Sequence, residues 1–271
     1  MGAPTRTESK TNGVDVVELM LSQGNIAQAE RSTLEAIEFA RKSADQDREA
    51  DYLTVLGRLR GHQNRLHDAE VAFEASLHIY AALKRNEGLA TTQCHLADVY
   101  QRRGNLGEAA ELFLNSLEVF RRGGDELAEA HALNSLAVTY QLSNRFAEAE
   151  ECLRRSLDIK RRLRDTVGEA KSLTNLGLLF ERQSKWNEAR RSFEACLALR
   201  ERVGDRMGTA KTLQNLALLH EAQDKIVESL HFQRQALPIF EQTDDHRSIT
   251  LARALVAKWE EKLSGAAKVD A

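Results

Sequence analysis

Residues 173–193 read LTNLGLLFERQSKWNEARRSF, and the phrase returns along the chain at a spacing of 40 residues. Leu173, Leu176, Gly177 and Phe180 form its first part. After a break at Ser184 come Trp186, Ala189 and Phe193. Offsets of three and four put each group on one face of an α-helix. The small residue of the first helix recurs as Gly57, Ala97, Ala137, Gly177, Ala217 and Ala257. The aliphatic residue before it recurs as Leu56, Leu96, Leu136, Leu176, Leu216 and Val256. Gly24, Asn64, Gly104, Asn144, Ser184 and Asp224 mark the break, and Gly and Asn tolerate the left-handed backbone that ends a helix.

The second helix repeats as strictly. Leu66, Leu106, Phe146, Trp186 and Ile226 open it, and Ala29, Ala69, Ala109, Ala149, Ala189 and Ser229 follow. Phe73, Phe113, Leu153 and Phe193 come four residues later, then a small residue at Ser76, Ser116, Ser156, Cys196 and Ala236. Asp45, Asp125, Asp165, Asp205 and Asp245 fall on the same grid, with Arg85 in the slot that lacks the acid. Each Asp is expected to cap the first helix of the next pair. Small residues let two helix backbones approach and large ones fill the grooves beside them. No single pair can bury its apolar faces, so a period of this size predicts stacked helical hairpins.

The residues of repeat five resemble the tetratricopeptide signature, W-x2-L-G-x2-Y followed by A-x3-F. Repeats three and four match nearly as well, with Gln93 at the first apolar position of repeat three. The chain is similar to the 40-residue variety seen in kinesin light chain, Pins-type adaptors, and MalT-like and Rap-like bacterial regulators. The resemblance covers residues 14–263. It implies an all-α fold: a right-handed α-solenoid of six antiparallel helix pairs plus a C-terminal capping helix. The expected order is a tail over 1–13 and a degraded repeat near 6–45, with Val16 and Val17 at the aliphatic and small positions. Repeats follow at 46–85, 86–125, 126–165, 166–205 and 206–245, then a cap over 246–263 and a flexible tail over 264–271. In the cap, Leu251, Leu255, Val256 and Trp259 are expected inward, and Arg253, Lys258, Glu260, Glu261 and Lys262 in water. The proline that usually closes each repeat is missing. Pro238 lies inside the last second helix, where it predicts a kink or early end.

Of 271 residues, 29% are charged, 6% are aromatic and two are proline, a composition suited to helices. A net charge of −3 gives no general attraction to nucleic acid or anionic membrane. The basic run Arg154, Arg155, Lys160, Arg161, Arg162 and Arg164 is mixed with Glu150, Glu151 and Asp158 and reads as a solvated helix face. No apolar stretch approaches a membrane span, and Met1 to Asn12 lacks the apolar segment of a signal peptide. Cys94, Cys152 and Cys196 are odd in number and scattered, which reads as reduced thiols in a cytoplasmic protein. No phosphate loop, nucleophile elbow, dinucleotide fingerprint or zinc pattern is present, so neither an enzyme nor a cofactor or metal is expected.

In the fold that the resemblance implies, the first helices line a concave groove. The helical period puts Arg58, Asp98, Gln101, Arg102, His131, Asn134, Gln141, Lys171, Asn175, Arg182, Lys211, Gln214 and Asn215 near that face. Amides both donate and accept and can grip a peptide backbone without demanding a sequence. The interleaved bases suit an acidic peptide or a terminal carboxylate. Asn175 and Asn215 share one repeat position, with Lys171 and Lys211 one turn earlier. The expected function is a non-catalytic scaffold or adaptor that binds a segment of another protein. The alternative is a regulatory sensor of a peptide or small ligand acting on a separate effector. A monomer is expected, with self-association through solenoid ends or convex face as a third possibility. These side chains could also be ordinary solvated residues.

Overall fold

A computed structural model describes residues 25–243 and 245–269 of the chain. Met1 to Gly24, which hold the expected tail and the first helix of repeat one, lie outside the described residues, as does Asp244. The described residues form twelve helices and no strand. They divide into two compact units, Met1–Ser143 and Asn144–Ala271.

The first unit holds α1 (Ile26–Lys42), α2 (Gln46–His62), α3 (Leu66–Ala82), α4 (Asn86–Arg103), α5 (Leu106–Gly123) and α6 (Glu126–Leu142). The second holds α7 (Phe146–Arg162), α8 (Thr166–Arg182), α9 (Trp186–Arg202), α10 (Arg206–Glu221), α11 (Ile226–Phe240) and α12 (His246–Val269). The pairs α2/α3, α4/α5, α8/α9 and α10/α11 are antiparallel hairpins, and each helix also packs on its chain neighbour within the unit. In the first unit α2 touches α4 and α4 touches α6, so first helices lie side by side.

The small-to-large pairing has a direct steric basis. A Cβ on Gly57 would lie 2.5 Å from the Phe73 ring, and one on Gly177 would lie 2.4 Å from Phe193. These rings seat only because the facing position is bare. The small residue of the second helix does more than save space. Ser76 donates to the Ala50 carbonyl at 2.8 Å, Ser116 to Ala90 at 2.9 Å, and Cys196 to Ala170 at 3.3 Å. Each bond stitches a second helix to the first helix of its own hairpin. Another clamp joins hairpins: Arg41 pairs with Glu49 at 2.6 Å, Arg121 with Glu129 at 2.9 Å and Arg161 with Glu169 at 2.8 Å.

The caps follow the grid. Asp45, Asp125, Asp165, Asp205 and Asp245 each accept the backbone N–H three residues on, at 2.8–3.1 Å. Arg85 makes no such bond. Asn64, Gly104, Asn144, Ser184 and Asp224 all have positive φ, between 56° and 87°. So do Ala44, Lys84, Gly124, Arg164 and Gly204, which close the second helices. Pro238 stays inside α11, which is 15 residues long where most of the other helices have 17. The helix ends two residues past the proline, in keeping with the missing donor.

The last helix corrects one expectation. Leu251 is 49% exposed, and Ala252 takes its place on the inner face with Leu255, Val256 and Trp259. Ala252 is seven residues before Trp259 and therefore in helical register with it. Leu251, eight before, is rotated about 80° from that line. Arg253, Lys258, Glu260, Glu261 and Lys262 face water as expected. The helix continues to Val269.

Candidate functional site

In the first unit Arg58, Asp98, Gln101 and Arg102 line one cleft of about 480 Å3 between α2 and α4, together with His62 and His95 above Phe73. The His95 ring stacks on Phe73 with centroids 5.9 Å apart. Arg102 Nη1 donates to the Gly61 carbonyl at 2.7 Å, and Nη2 donates to Asn64 Oδ1 at 2.9 Å. The guanidinium thus caps the C-terminal end of α2, where carbonyls lack helical partners and the dipole is negative. Gln101 Nε2 donates to Thr139 Oγ1 at 2.8 Å and to the Ser135 carbonyl at 3.3 Å. Both side chains tie one hairpin to the next while lining the cleft. His131 is exposed on α6. Asn134 and Gln141 are only 4% and 9% exposed, so their amides are not offered to solvent.

In the second unit Lys171, Asn175, Leu178 and Arg182 follow one another at four-, three- and four-residue steps on α8. Lys171 and Arg182 are exposed and Asn175 is half-buried. Leu178 is an exposed apolar side chain within this polar strip. The sequence reading passed over it, although its spacing from Asn175 marks it as a member. Lys211, Asn215 and Leu218 repeat the pattern on α10. Beside the strip, burial raises the Glu181 carboxyl above its usual range.

Lys211, Gln214 and Asn215 also line a second pocket, of about 310 Å3, with Thr174 of α8, Arg200 of α9, Thr212 of α10 and Ser248 of α12. Arg200 was missed because only first helices were expected to line the groove. A signal existed. Its grid position holds Tyr80, Phe120 and Phe240 in other repeats but Lys160 and Arg200 in repeats four and five. Lys160 is 1% exposed, and its Nζ donates to Asp165 Oδ2 at 3.2 Å. Burial lowers its pKa and the carboxylate partly restores it.

None of the three cysteines is joined in a disulfide. Burial pushes the Cys94 thiol up to about 12, which leaves it protonated and unreactive. Among the described residues no group of three or more His, Cys, Asp or Glu side chains is placed to hold a metal ion. Nor is any helix among them long and apolar enough to cross a membrane. What both units offer is extended hydrogen-bonding and charged surface, with an apolar component on α8.

The tetratricopeptide repeat family model matches residues 88–162 and 168–242, more than half of the chain. Solved structures share the fold. BtubC (BKLC) from P. vanneervenii is 23% identical, with a TM-score of 0.71 over 82% of this chain and 93% of that one. A signal transduction ATPase with a tetratricopeptide repeat sensor from Pyrococcus horikoshii is 13% identical, with a TM-score of 0.76 over 94% of this chain and 39% of that one. A Rap protein complexed with competence and sporulation factor is 14% identical, with a TM-score of 0.67 over 92% of this chain and 74% of that one. At these identities the likeness speaks for the fold alone. No curated protein matches the sequence.

Proposed function

The chain belongs to the tetratricopeptide repeat family, and on that premise we propose that it is a non-catalytic scaffold that holds a segment of another protein. The guest lies along the exposed face of the first helix of each hairpin. The observation that carries this reading is the strip Lys171, Asn175, Leu178 and Arg182. It combines peptide-gripping amide, basic and apolar groups on a face that no helix of its own unit covers completely. The cleft over Phe73, with Arg58 and Asp98 on its walls, extends the same surface type to the first unit. Three cysteines outside any disulfide suit a reducing, cytoplasmic setting. The six-repeat division of residues 14–263 belongs to the same proposal.

The test is a variant carrying Lys171→Glu, Asn175→Ala and Arg182→Glu, compared with the unaltered chain by affinity purification and mass spectrometry. Guest proteins recovered with the unaltered chain should be lost with the variant while helicity, read by circular dichroism, stays the same. Equal recovery of the same proteins by both would remove the α8 strip from the binding surface. A peptide-responsive sensor is the second reading, supported by the fold likeness to a Rap protein complexed with its factor. It predicts compaction in X-ray scattering when ligand binds, whereas a rigid scaffold keeps its dimensions.

A further inference from the structure

We propose that the pocket between α9, α10 and α12 is an oxyanion site for a phosphoryl group, held by Arg200, Lys211 and Gln214. The site goes beyond the scaffold reading, because its central residue comes from a second helix and its ligand need not be a peptide.

The argument starts from unmet hydrogen bonds. Arg200 Nε and Gln214 Nε2 are buried donors with no hydrogen-bond partner among the described residues. A buried donor without an acceptor costs about 1–3 kcal/mol. Both belong to side chains that line one 310 Å3 pocket, which sets two under-used donor groups beside the same space. Lys211 lines it too and adds a second positive charge. No acidic side chain lines the pocket itself, while Asp205 lies 4.0 Å from Arg200 Nε and Asp245 is near enough to Lys211 for the ammonium to lower its pKa.

One repeat earlier the equivalent arrangement is closed. Lys160 Nζ reaches Asp165 Oδ2 at 3.2 Å, within hydrogen-bond distance. In repeat five the gap between Arg200 Nε and Asp205 Oδ2 is 4.0 Å, too long for a hydrogen bond. Asp205 Oδ1 accepts the Gly208 N–H at 2.8 Å as Asp165 Oδ1 accepts that of Gly168 at 2.9 Å, so the caps are alike and only the reach of the cation to Oδ2 differs. The guanidinium is therefore held beside its carboxylate without being saturated by it.

The donor set favours a phosphoryl group over a carboxylate. The pocket hydroxyls have given their protons elsewhere: Thr174 donates to the Ala170 carbonyl at 2.9 Å, Thr212 to the Gly208 carbonyl at 2.9 Å, and Ser248 to Asp245 at 2.7 Å. The donors left are a guanidinium, an ammonium and two amides, carried on α9 and α10. A carboxylate offers two oxygens in one plane and one charge. A phosphoryl group offers three oxygens in three directions and a charge of about −1.5 to −2 at neutral pH, matching two cations on separate helices.

Titration calorimetry on the full chain tests this with inorganic phosphate, O-phosphoserine and acetate. Phosphate or phosphoserine should bind and acetate should not. Tighter phosphoserine binding identifies a phosphorylated side chain as the source, and tighter phosphate binding identifies the free anion. Lys211→Gln, an exposed position that leaves the core untouched, and Arg200→Met, which keeps the buried stem, should each weaken binding by about tenfold or more. Absence of binding to the unaltered chain, equal binding by both variants, or acetate binding as tightly as phosphate would each overturn the assignment. Because no guest is needed, these outcomes leave the α8 strip unaffected. Loss of guest capture by the α8 variant, in turn, says nothing about the anion.

Discussion

Gln233 should be the position at which one substitution most clearly strengthens the protein. It occupies the grid slot that holds Phe73, Phe113, Leu153 and Phe193 in the other repeats. Its side chain is fully buried, and neither amide atom has a hydrogen-bond partner among the described residues. An unsatisfied buried polar group costs about 1–3 kcal/mol. Gln233→Met removes both polar atoms with little change in length or volume, and volume-conserving swaps into apolar surroundings cost little themselves. A gain of at least about 1 kcal/mol is therefore expected, which for a chain of this size raises the melting temperature by about 2–4 °C. The facing residue, Ala217, allows the exchange, since Ala97 already faces Phe113 at the same register within the first unit. The assay is urea unfolding followed by circular dichroism and by tryptophan emission. Trp259, fully buried in an apolar cluster with Ala217 and Leu230, reports on this end of the second unit. A midpoint lower than that of the unaltered chain would refute the reasoning, because it would mean that the amide has an internal partner that methionine cannot replace.

Two further outcomes follow from the caps and from one histidine. Asp125→Ala should cost about 0.5–2 kcal/mol through the lost cap. Asp165→Ala should cost more, up to about 3–5 kcal/mol, because it also strands the buried Lys160 ammonium. Asp165→Asn, which can keep the cap, should recover only the first part. Equal losses for Asp125→Ala and Asp165→Ala in chemical denaturation would show that the Lys160 pair contributes nothing. His220 stands where Tyr100, Tyr140 and Phe180 stand in other repeats, and it stacks on Phe232 at 5.4 Å. Burial lowers its pKa below 6.5; Lys225 and Arg190 lower it further, against Glu228 and Glu194. A depressed folded pKa means its share of stability is full above about 6.5 and drains as pH falls through the lowered value. His220→Phe should therefore flatten the acid side of the stability profile below pH 6.5, and an unchanged slope would exclude His220 as its source.

The helix register, the capping acids and most turn positions were legible because they rest on local rules that one residue type expresses. Asp at a helix start, Gly or Asn at a left-handed turn, and apolar residues at three- and four-residue steps each carry their own signal. What was missed depends on pairs across space. Tyr80, Lys160 and Arg200 each stand eight residues before a glycine, at Gly88, Gly168 and Gly208. A Cβ on those glycines would lie 2.4–2.5 Å from the larger side chain. The glycine is the mould of its partner, and neither residue alone announces the pair. The left-handed residues Ala44, Lys84 and Arg164 were illegible for a related reason: their side chains do not favour that backbone, and neighbouring hydrogen bonds impose it. Asn134 and Gln141 were placed on an open face by helical projection, which carries no information about burial by neighbouring chain. Leu178 shows the converse, an apolar residue on a face that the pattern reserved for polar ones.

The strictness of the 40-residue period has its cause at the grid residue. Asp45 N–H bonds the Ala40 carbonyl at 2.9 Å and closes one helix, while its carboxylate accepts the Arg48 N–H at 3.1 Å and opens the next. Asp125, Asp165 and Asp205 do the same, bonding back to Phe120, Lys160 and Arg200. One residue is thus the end of one helix and the start of another, with a single left-handed residue before it. An extra residue at such a junction would break the closing bond or the cap, and it would rotate the following helix by about 100°, turning its apolar stripe out of register. Because the residue that bonds back to the turn is the one at 160 or 200, a cation there comes to lie against the capping carboxylate. In repeat four the pair closes, and in repeat five it stays open by the width that leaves Arg200 facing the pocket. The same junction that fixes the period therefore also creates the opening in which an anion can be held.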